Sequence, residues 1–449
     1  MRTLYNFFFA IGFLLASPYY FMRMRRRGKW RAGFSQRFGN FDTKFKQAIT
    51  NRHVIWIHAV SVGEVGVCTQ LIRAIEPRMP NLKIVVSTTT TTGMEQLREN
   101  LPSHISPIYY PIDLFRFVSR ALLTVRPEAI VLVEGEIWPN FIWRARTLGI
   151  PVFLVNARLS DRSYPRYKLF GFLFRKLFGS FAGVGAQNEA DAAKLRELGC
   201  RPEAIRVVGS LKYDVAPLDE RRVLNVPAIL EQIGVPRGAR LLVAGSTHPG
   251  EETMLGRVFL NLRKQFPDLF LILVPRHFER SREVGNELRA LGINFVYRSE
   301  ITAAREYSPG SVDCLLVNTT GELNPHFYEI ATVVYVGKSL AAAVTGGQNP
   351  IEPAALGKAT VFGPNMQNFA DIVQKFVAAD AVVQVPDAAG LEQALAKLLS
   401  DPARREQLGR NAMRVVQENR GPIDRTVDMI AERLGGSEVY VAKGKWAAR

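Results

Sequence analysis

The sequence predicts an α/β protein of two doubly wound, Rossmann-like domains that face a cleft, preceded by a membrane-anchor helix. Three observations carry this. From residue 53 onward, short β-branched runs alternate with helix-like stretches in two series. A proline-bearing break separates the two series. An uncharged stretch from Leu4 to Met22 stands ahead of both.

The N-terminal stretch, "LYNFFFAIGFLLASPYYFM", is close to the ~20 apolar residues that match a bilayer core. A basic flank follows, with Arg23, Arg25, Arg26, Arg27, Lys29 and Arg31, and such a flank stays on the cytoplasmic side. A cleaved signal peptide carries its charge ahead of the apolar run and a small-residue cleavage site behind it. Here only Arg2 precedes the run, so residues 1–31 read as an uncleaved anchor and its flank. Pro18, Asn6 and the tyrosines make it a mediocre span, and a helix lying in the interface is the alternative.

The first series of runs is "HVIWIHA", "KIVVSTT", "AIVLVE", "PVFLVNA" and "FAGVGAQN". The second is "RLLVAGS", "LFLILVPR", "INFVYRS", "DCLLVNT", "TVVYVGKS" and "ATVFGP". Near-continuous apolar runs suit parallel strands covered on both faces. Between the series, Pro217, Pro227 and Pro236 mark a linker with one short helix. The expected division is therefore 32–215, 235–420, and a terminal helix and tail at 421–449 that is able to return to the first domain.

Composition narrows the function. The chain has 449 residues, 58 basic against 41 acidic, for a net charge of +17. That balance favours anionic partners. No nucleic-acid motif accompanies the charge, so nucleic acid is not expected as a partner. Cys68, Cys200 and Cys314 are far apart and odd in number, which fits a reducing compartment rather than a disulfide framework. The six histidines form no HExxH or HxH cluster and no DxD occurs, so no metal site and no cofactor are expected.

In doubly wound sheets, ligands bind beyond the carboxyl ends of the strands. The turns there are "HAVSVGEV", "VEGEIWPN", "GSLKYD", "AGSTHPGEE", "VPRHFERS", "TTGEL" and "GGQNPIEPAALG". Such strand-loop-helix turns offer backbone N–H groups to anions. "VGKS" and "LGKA" look like the end of a P-loop, but Thr332 and Glu352 stand where its first glycine belongs. Glu64 reads either as an acid favoured in a first helical turn or as a general base. Arg276 is placed for a bidentate phosphate contact. His58 reads as a histidine packed at a strand end. Lys212 reads either as a partner of Asp214 or as a site cation.

Taken in order, "HAVSVGEV", "EIWPN", "NARLSDRS", "GSLKYD", "VPRHFER", "GEL" and "GGQNPIEPAA" resemble the 3-deoxy-D-manno-octulosonic acid (Kdo) transferases, glycosyltransferases of GT-B architecture. The resemblance runs from the anchor to about residue 420. It implies transfer of Kdo from CMP-Kdo to the lipid A precursor, lipid IVA, at the cytoplasmic face of the inner membrane. It makes Glu64 the proton acceptor, with Glu134 and Lys212 as transition-state stabilisers. Between Glu134 and Glu136, only the resemblance selects Glu134. It further implies CMP contacts at Pro275 and Arg276, at Gly321, Glu322 and Leu323, and at Asn349, Pro350, Ile351 and Glu352. Gln348 stands where many members carry histidine.

The basic segment after residue 157 carries Arg158, Arg162, Arg166, Lys168, Arg175 and Lys176 among phenylalanines and leucines. It reads either as a solvated helix face or as a surface for a phosphorylated glycolipid and an anionic membrane. Two other functions compete with the transferase. A nucleotide-sugar epimerase of the same architecture needs neither anchor nor basic face. A non-catalytic lipid-binding protein needs no acid at the strand ends.

Overall fold

The computed structural model describes residues 2–26, 31, 33–60, 62–135, 137–159, 163–214, 224–302, 307–341 and 345–434. The fold divides into two compact units. One holds the chain up to Asp214 and the segment from Gly421; the other runs from Val215 to Arg420.

The first unit carries seven strands: β1 His53–His58, β2 Leu82–Thr88, β3 Pro107–Tyr109, β4 Ala129–Val133, β5 Val152–Ala157, β6 Gly183–Ala186 and β7 Ile205–Val207. They lie parallel in the order β3-β2-β1-β4-β5-β6-β7. The order reverses direction between β1 and β4, which is the topological switch point. The strands read as apolar runs because helices cover both faces. Along β1, Val54 and Trp56 join one core cluster, and Ile55 and Ile57 join the other. Each buried side chain of this size stabilises by roughly 1.5–3 kcal/mol. Asn188 accepts the Asp191 N–H at 2.8 Å and so caps the helix Glu189–Glu197.

The terminal helix Pro422–Leu434 returns to this unit, where Val427 and Ile430 complete the second cluster. Its start is held by Asp214, whose carboxylate accepts the N–H groups of Gly421 (2.8 Å) and Ile423 (2.6 Å). The N-terminal helix, Arg2–Arg26, is as long and apolar as the sequence predicts.

The second unit carries β8 Arg240–Thr247, β9 Leu269–Pro275, β10 Phe295–Tyr297, β11 Cys314–Leu316, β12 Val333–Val336, β13 Thr360–Phe362 and β14 Val383–Gln384. The order is β10-β11-β9-β8-β12-β13-β14, again all parallel, with the switch between β8 and β12. All seven residues of β9 are buried. Strands β3, β7 and β14, of two or three residues each, have no counterpart among the apolar runs of the sequence.

Candidate functional site

At the switch point of the first unit, β1 ends at His58 and the helix Val62–Arg78 follows. Glu64 lies in its first turn and is only 8% exposed. Its Oε2 accepts the Val60 N–H at 2.9 Å, so the carboxylate folds back over the turn that carries it. One turn further on, burial and the Glu64 charge push the Cys68 thiol up to about 12. His58 is fully buried, and its ring stacks on Tyr110 at 3.9 Å. Its Nδ1 donates to the Ser87 carbonyl at 3.0 Å, and burial drives its pKa down to about 3. His58 is thus a neutral packing residue, as its place at a strand end suggests.

Glu134 follows β4, the neighbour of β1. It has φ +63°, a left-handed conformation that is costly for a residue with a side chain. Its Oε1 accepts from Asn156 Nδ2 at 3.1 Å and stands 3.5 Å from Lys212 Nζ. Asn156, near the end of β5, also has positive φ, +52°. Its Oδ1 accepts the Leu211 N–H at 3.1 Å, next to Lys212. One buried amide therefore holds the turn after β4 to the segment after β7. Lys212 pairs with Glu134, while Asp214 is committed to the terminal helix. Glu136 lies outside the described residues.

Arg158 is half-buried; Arg166, Lys168, Arg175 and Lys176 are exposed, and Lys168 pairs with Glu197 at 3.1 Å. Arg162 lies outside the described residues.

In the second unit the ends of β8, β9 and β12 bring a cationic cluster together. His248, after β8, is pushed down to about 4, first by burial and then by Lys338, His277, Arg276 and Arg280. Gln348 Nε2 meets His248 Nε2 at 3.0 Å, so the residue that departs from the family pattern is engaged with a histidine here. Pro275 ends β9, and the exposed Arg276 follows it. Burial raises the Glu352 carboxyl, opposed by a hydrogen bond from Asn349 (3.1 Å) and by the Arg276 charge. Asn349 also takes the Ile351 N–H at 3.1 Å, fixing the turn after Pro350. The segment Leu323–Phe327 packs against the helix Ile351–Ala355, so the "GEL" and "NPIE" stretches are neighbours. Gly321 has φ +80° with open space beside it. Glu322 lies 3.1 Å from Arg298 Nε.

The residue that sequence reading passed over is Glu251, in "HPGEE". It is 1% exposed. Its Oε2 accepts the N–H groups of His248 (2.9 Å) and Lys338 (2.7 Å). Its Oε1 accepts those of Ser339 and Leu340 (3.0 Å each) and the Tyr335 hydroxyl (2.7 Å). The "VGKS" turn therefore does not present these N–H groups to an outside anion: an internal carboxylate holds them. In the "AGSTHPGEE" turn, where an open N–H group was expected, that of His248 is held by the same carboxylate. Lys338 (φ +60°) and Ser246 (φ +55°) are held in left-handed conformations beside it.

Residues 32–215 match the family model of the 3-deoxy-D-manno-octulosonic-acid transferases. The 3-deoxy-D-manno-octulosonic acid transferase of Haemophilus influenzae is 32% identical to this chain over 415 residues, covering 92% of each. The chain belongs to this family. It is a glycosyltransferase of lipopolysaccharide biosynthesis. Among solved structures, a glycosyltransferase from Rickettsia africae covers 86% of the transferase, and the transferase covers 99% of it, with TM-score 0.56 at 13% identity. The UDP-GlcNAc 2-epimerase of Neisseria meningitidis covers 85%, and 99% of its own chain is matched, with TM-score 0.54 at 14% identity. At such identities both show the GT-B-like fold alone.

Proposed function

We propose that this transferase moves Kdo from CMP-Kdo onto the phosphorylated lipid A precursor, lipid IVA, at the cytoplasmic face of the inner membrane, without a metal or cofactor. The observation that carries the reading is the pairing of Glu134, in the turn after the strand next to the one that leads into Glu64, with Lys212 and Asn156.

Glu64 is the general base. A sugar hydroxyl is too weak an acid to ionise first, so proton transfer to the carboxylate accompanies attack. The acceptor oxygen bonds to the anomeric carbon of Kdo with inversion. The bond to the CMP phosphate oxygen breaks, and its electron pair leaves with CMP. Glu134 and Lys212 form a fixed ion pair whose charges lie ready for the charge that develops at the sugar, which is the economy of a preorganised site. On the donor side, Arg276 and the residues around Glu352, Asn349 and the "GEL" turn hold CMP. The positive surroundings of His248 suit a donor with a phosphate and a carboxylate. The N-terminal helix and the basic face at 158–176 attach the enzyme to the membrane that holds its acceptor.

The test mixes pure full-length protein with CMP-Kdo and the lipid A precursor. Release of CMP together with a heavier glycolipid is expected; CMP release without the heavier product overturns the acceptor. Glu64→Gln is expected to bind CMP-Kdo normally and to lose at least ~100-fold in turnover, the scale of general base catalysis. Near-normal turnover would remove Glu64 from that role.

A further inference from the structure

The N-terminal helix Arg2–Arg26 touches the first unit near both of its ends. Near its start, the Tyr5 hydroxyl donates to Asp113 Oδ2 at 2.9 Å. Asn6 and Asn140 exchange side-chain amide hydrogen bonds at 3.2 and 2.9 Å. The Arg2 guanidinium lies 5.7 Å from the Trp143 ring centre, and Phe9 meets Trp138 edge-on at 6.5 Å. Asp113 is itself a fixed point: its carboxylate accepts the N–H groups of Asn140 (3.0 Å) and Phe141 (2.9 Å) at the start of the helix Pro139–Thr147. Near the other end, Phe21 meets Phe34 at 6.5 Å. Phe34 packs on Phe38, and Phe38 on Phe117 of the helix Phe115–Val125.

Between these points the helix has two faces. Positions 5, 6, 9, 10, 13, 16 and 17 are half-buried, with helical spacing. Leu4, Phe7, Phe8, Leu14 and Leu15 point outward and are 53–78% exposed. At a rise of ~1.5 Å per residue, Tyr5 and Phe21 are ~24 Å apart. A bilayer core is ~30 Å thick. An upright helix with both contacts intact carries Asp113, Asn140 and the polar start of the helix Pro139–Thr147 into hydrocarbon, where hydrogen-bonding and ionised groups are excluded.

A second apolar patch shares this layer. Leu169 (74% exposed) and Phe172 (63%) belong to the helical segment 164–178. That segment sets Tyr167 and Phe174 on the same core cluster that receives Tyr5 and Trp138. The helix Pro139–Thr147 touches both elements. Around the second patch stand the exposed Arg166, Arg175 and Lys176. Apolar tips among cations match the acyl boundary and the headgroups of an anionic leaflet.

Resting on the reading that the enzyme works at a membrane, we infer that the N-terminal helix does not cross the bilayer: it lies in the plane of an anionic lipid surface, latched by Tyr5–Asp113 and Asn6–Asn140, with its Leu4–Phe8–Leu15 face and the 169–172 patch entering the same leaflet. Both ends of the helix then stand on the side of the catalytic units.

Side-specific labelling tests this without using activity. Thr3→Cys reports the start of the helix, and Lys44→Cys reports the exposed surface of the first unit. The three native cysteines are buried. Each full-length variant is treated with a membrane-impermeant maleimide in sealed inside-out and right-side-out membrane vesicles. Labelling of both from the same side is the expected result; labelling from opposite sides overturns the proposal. Recovery of the protein free of membranes at low salt overturns it together with the membrane part of the functional reading, while transferase activity on detergent-solubilised acceptor stands apart. Nitroxides placed in turn at positions 4, 7, 8, 11, 12, 14 and 15 give a second readout. Oxygen accessibility that stays level along this outward face supports the in-plane helix; accessibility that rises smoothly to a maximum at mid-helix and falls again sinks it.

Discussion

Replacing Glu251 by glutamine removes one acceptor oxygen and changes almost no volume. The geometry makes the outcome independent of which way the amide turns. With the NH2 group in place of Oε2, the N–H groups of His248 and Lys338 face a donor. With it in place of Oε1, those of Ser339 and Leu340 do, while the Tyr335 hydroxyl rotates to accept. Either way two buried backbone donors lose their acceptor, at ~1–3 kcal/mol each. Allowing for relaxation, the expected loss is ~2–4 kcal/mol. A unit of this size shifts its melting temperature by ~2–4 °C per kcal/mol, so Glu251→Gln is expected to melt ~5–15 °C lower. The assay is thermal unfolding followed by circular dichroism, with Glu279→Gln, an exposed carboxylate of the same unit, as control. A variant that melts within ~1 °C of the parent refutes the reasoning, because the carboxylate then does not hold the turns after β8 and β12 together.

Lys212→Met is expected to lower turnover by at least ~10-fold with little change in CMP-Kdo affinity, since its partner Glu134 belongs to the first unit and the donor contacts to the second; a loss of donor affinity alone, read by calorimetry, contradicts the assignment. Full activity in EDTA is expected, with Arg276 and Lys338 supplying positive charge; activity lost to EDTA and restored by magnesium refutes this. His58 gives a pH test. Its pKa is about 3 when folded against 6.5 unfolded, so its contribution is fully present above pH 6.5 and is lost as pH falls from 6.5 towards 3. Unfolding measured between pH 7 and 5 is expected to weaken more steeply in the parent than in His58→Phe, by up to ~1.4 kcal/mol per pH unit; parallel profiles show that the buried imidazole is not the group responsible.

What the sequence disclosed, and what it withheld, follows from where the information lies. The central strands were legible because both of their faces are covered, which writes an unbroken apolar run into each, as in "AIVLV" and "LFLILVP". Strand β7 was not: it is an edge strand with Arg206 and Val207 exposed, and its sequence carries no run. Strands β3 and β14 are likewise edges, and at three and two residues they are too short to write a recognisable run. The family and its motif positions were legible because a chain of several turns in one order is specific. The partners within the site were not. Glu251 meets Lys338, Ser339 and Leu340 across 87 to 89 residues, and Asn156 meets Leu211 across 55. No local pattern records such pairs. A usable signal did exist in "LVNA", where a polar amide closes an apolar strand, a position that rarely goes without a partner. The apolar N-terminal helix was legible by composition, but its two faces were not, because apolar residues occupy both the side against the protein and the side away from it.

The return of the terminal helix sets an order of events during synthesis. The second core cluster of the first unit lacks Val427 and Ile430 until the helix Pro422–Leu434 has left the ribosome. The unit from Val215 to Arg420 is contiguous in sequence and carries its own sheet and core, so it has everything it needs to fold earlier. The first unit is thus completed only after the second has been made, and in the interval one face of its sheet is left partly uncovered. The two hydrogen bonds that Asp214 accepts from Gly421 and Ile423 cannot form before that helix is made. A chain released before residue 421 leaves that carboxylate and that apolar face exposed, a state that chaperones and proteases recognise.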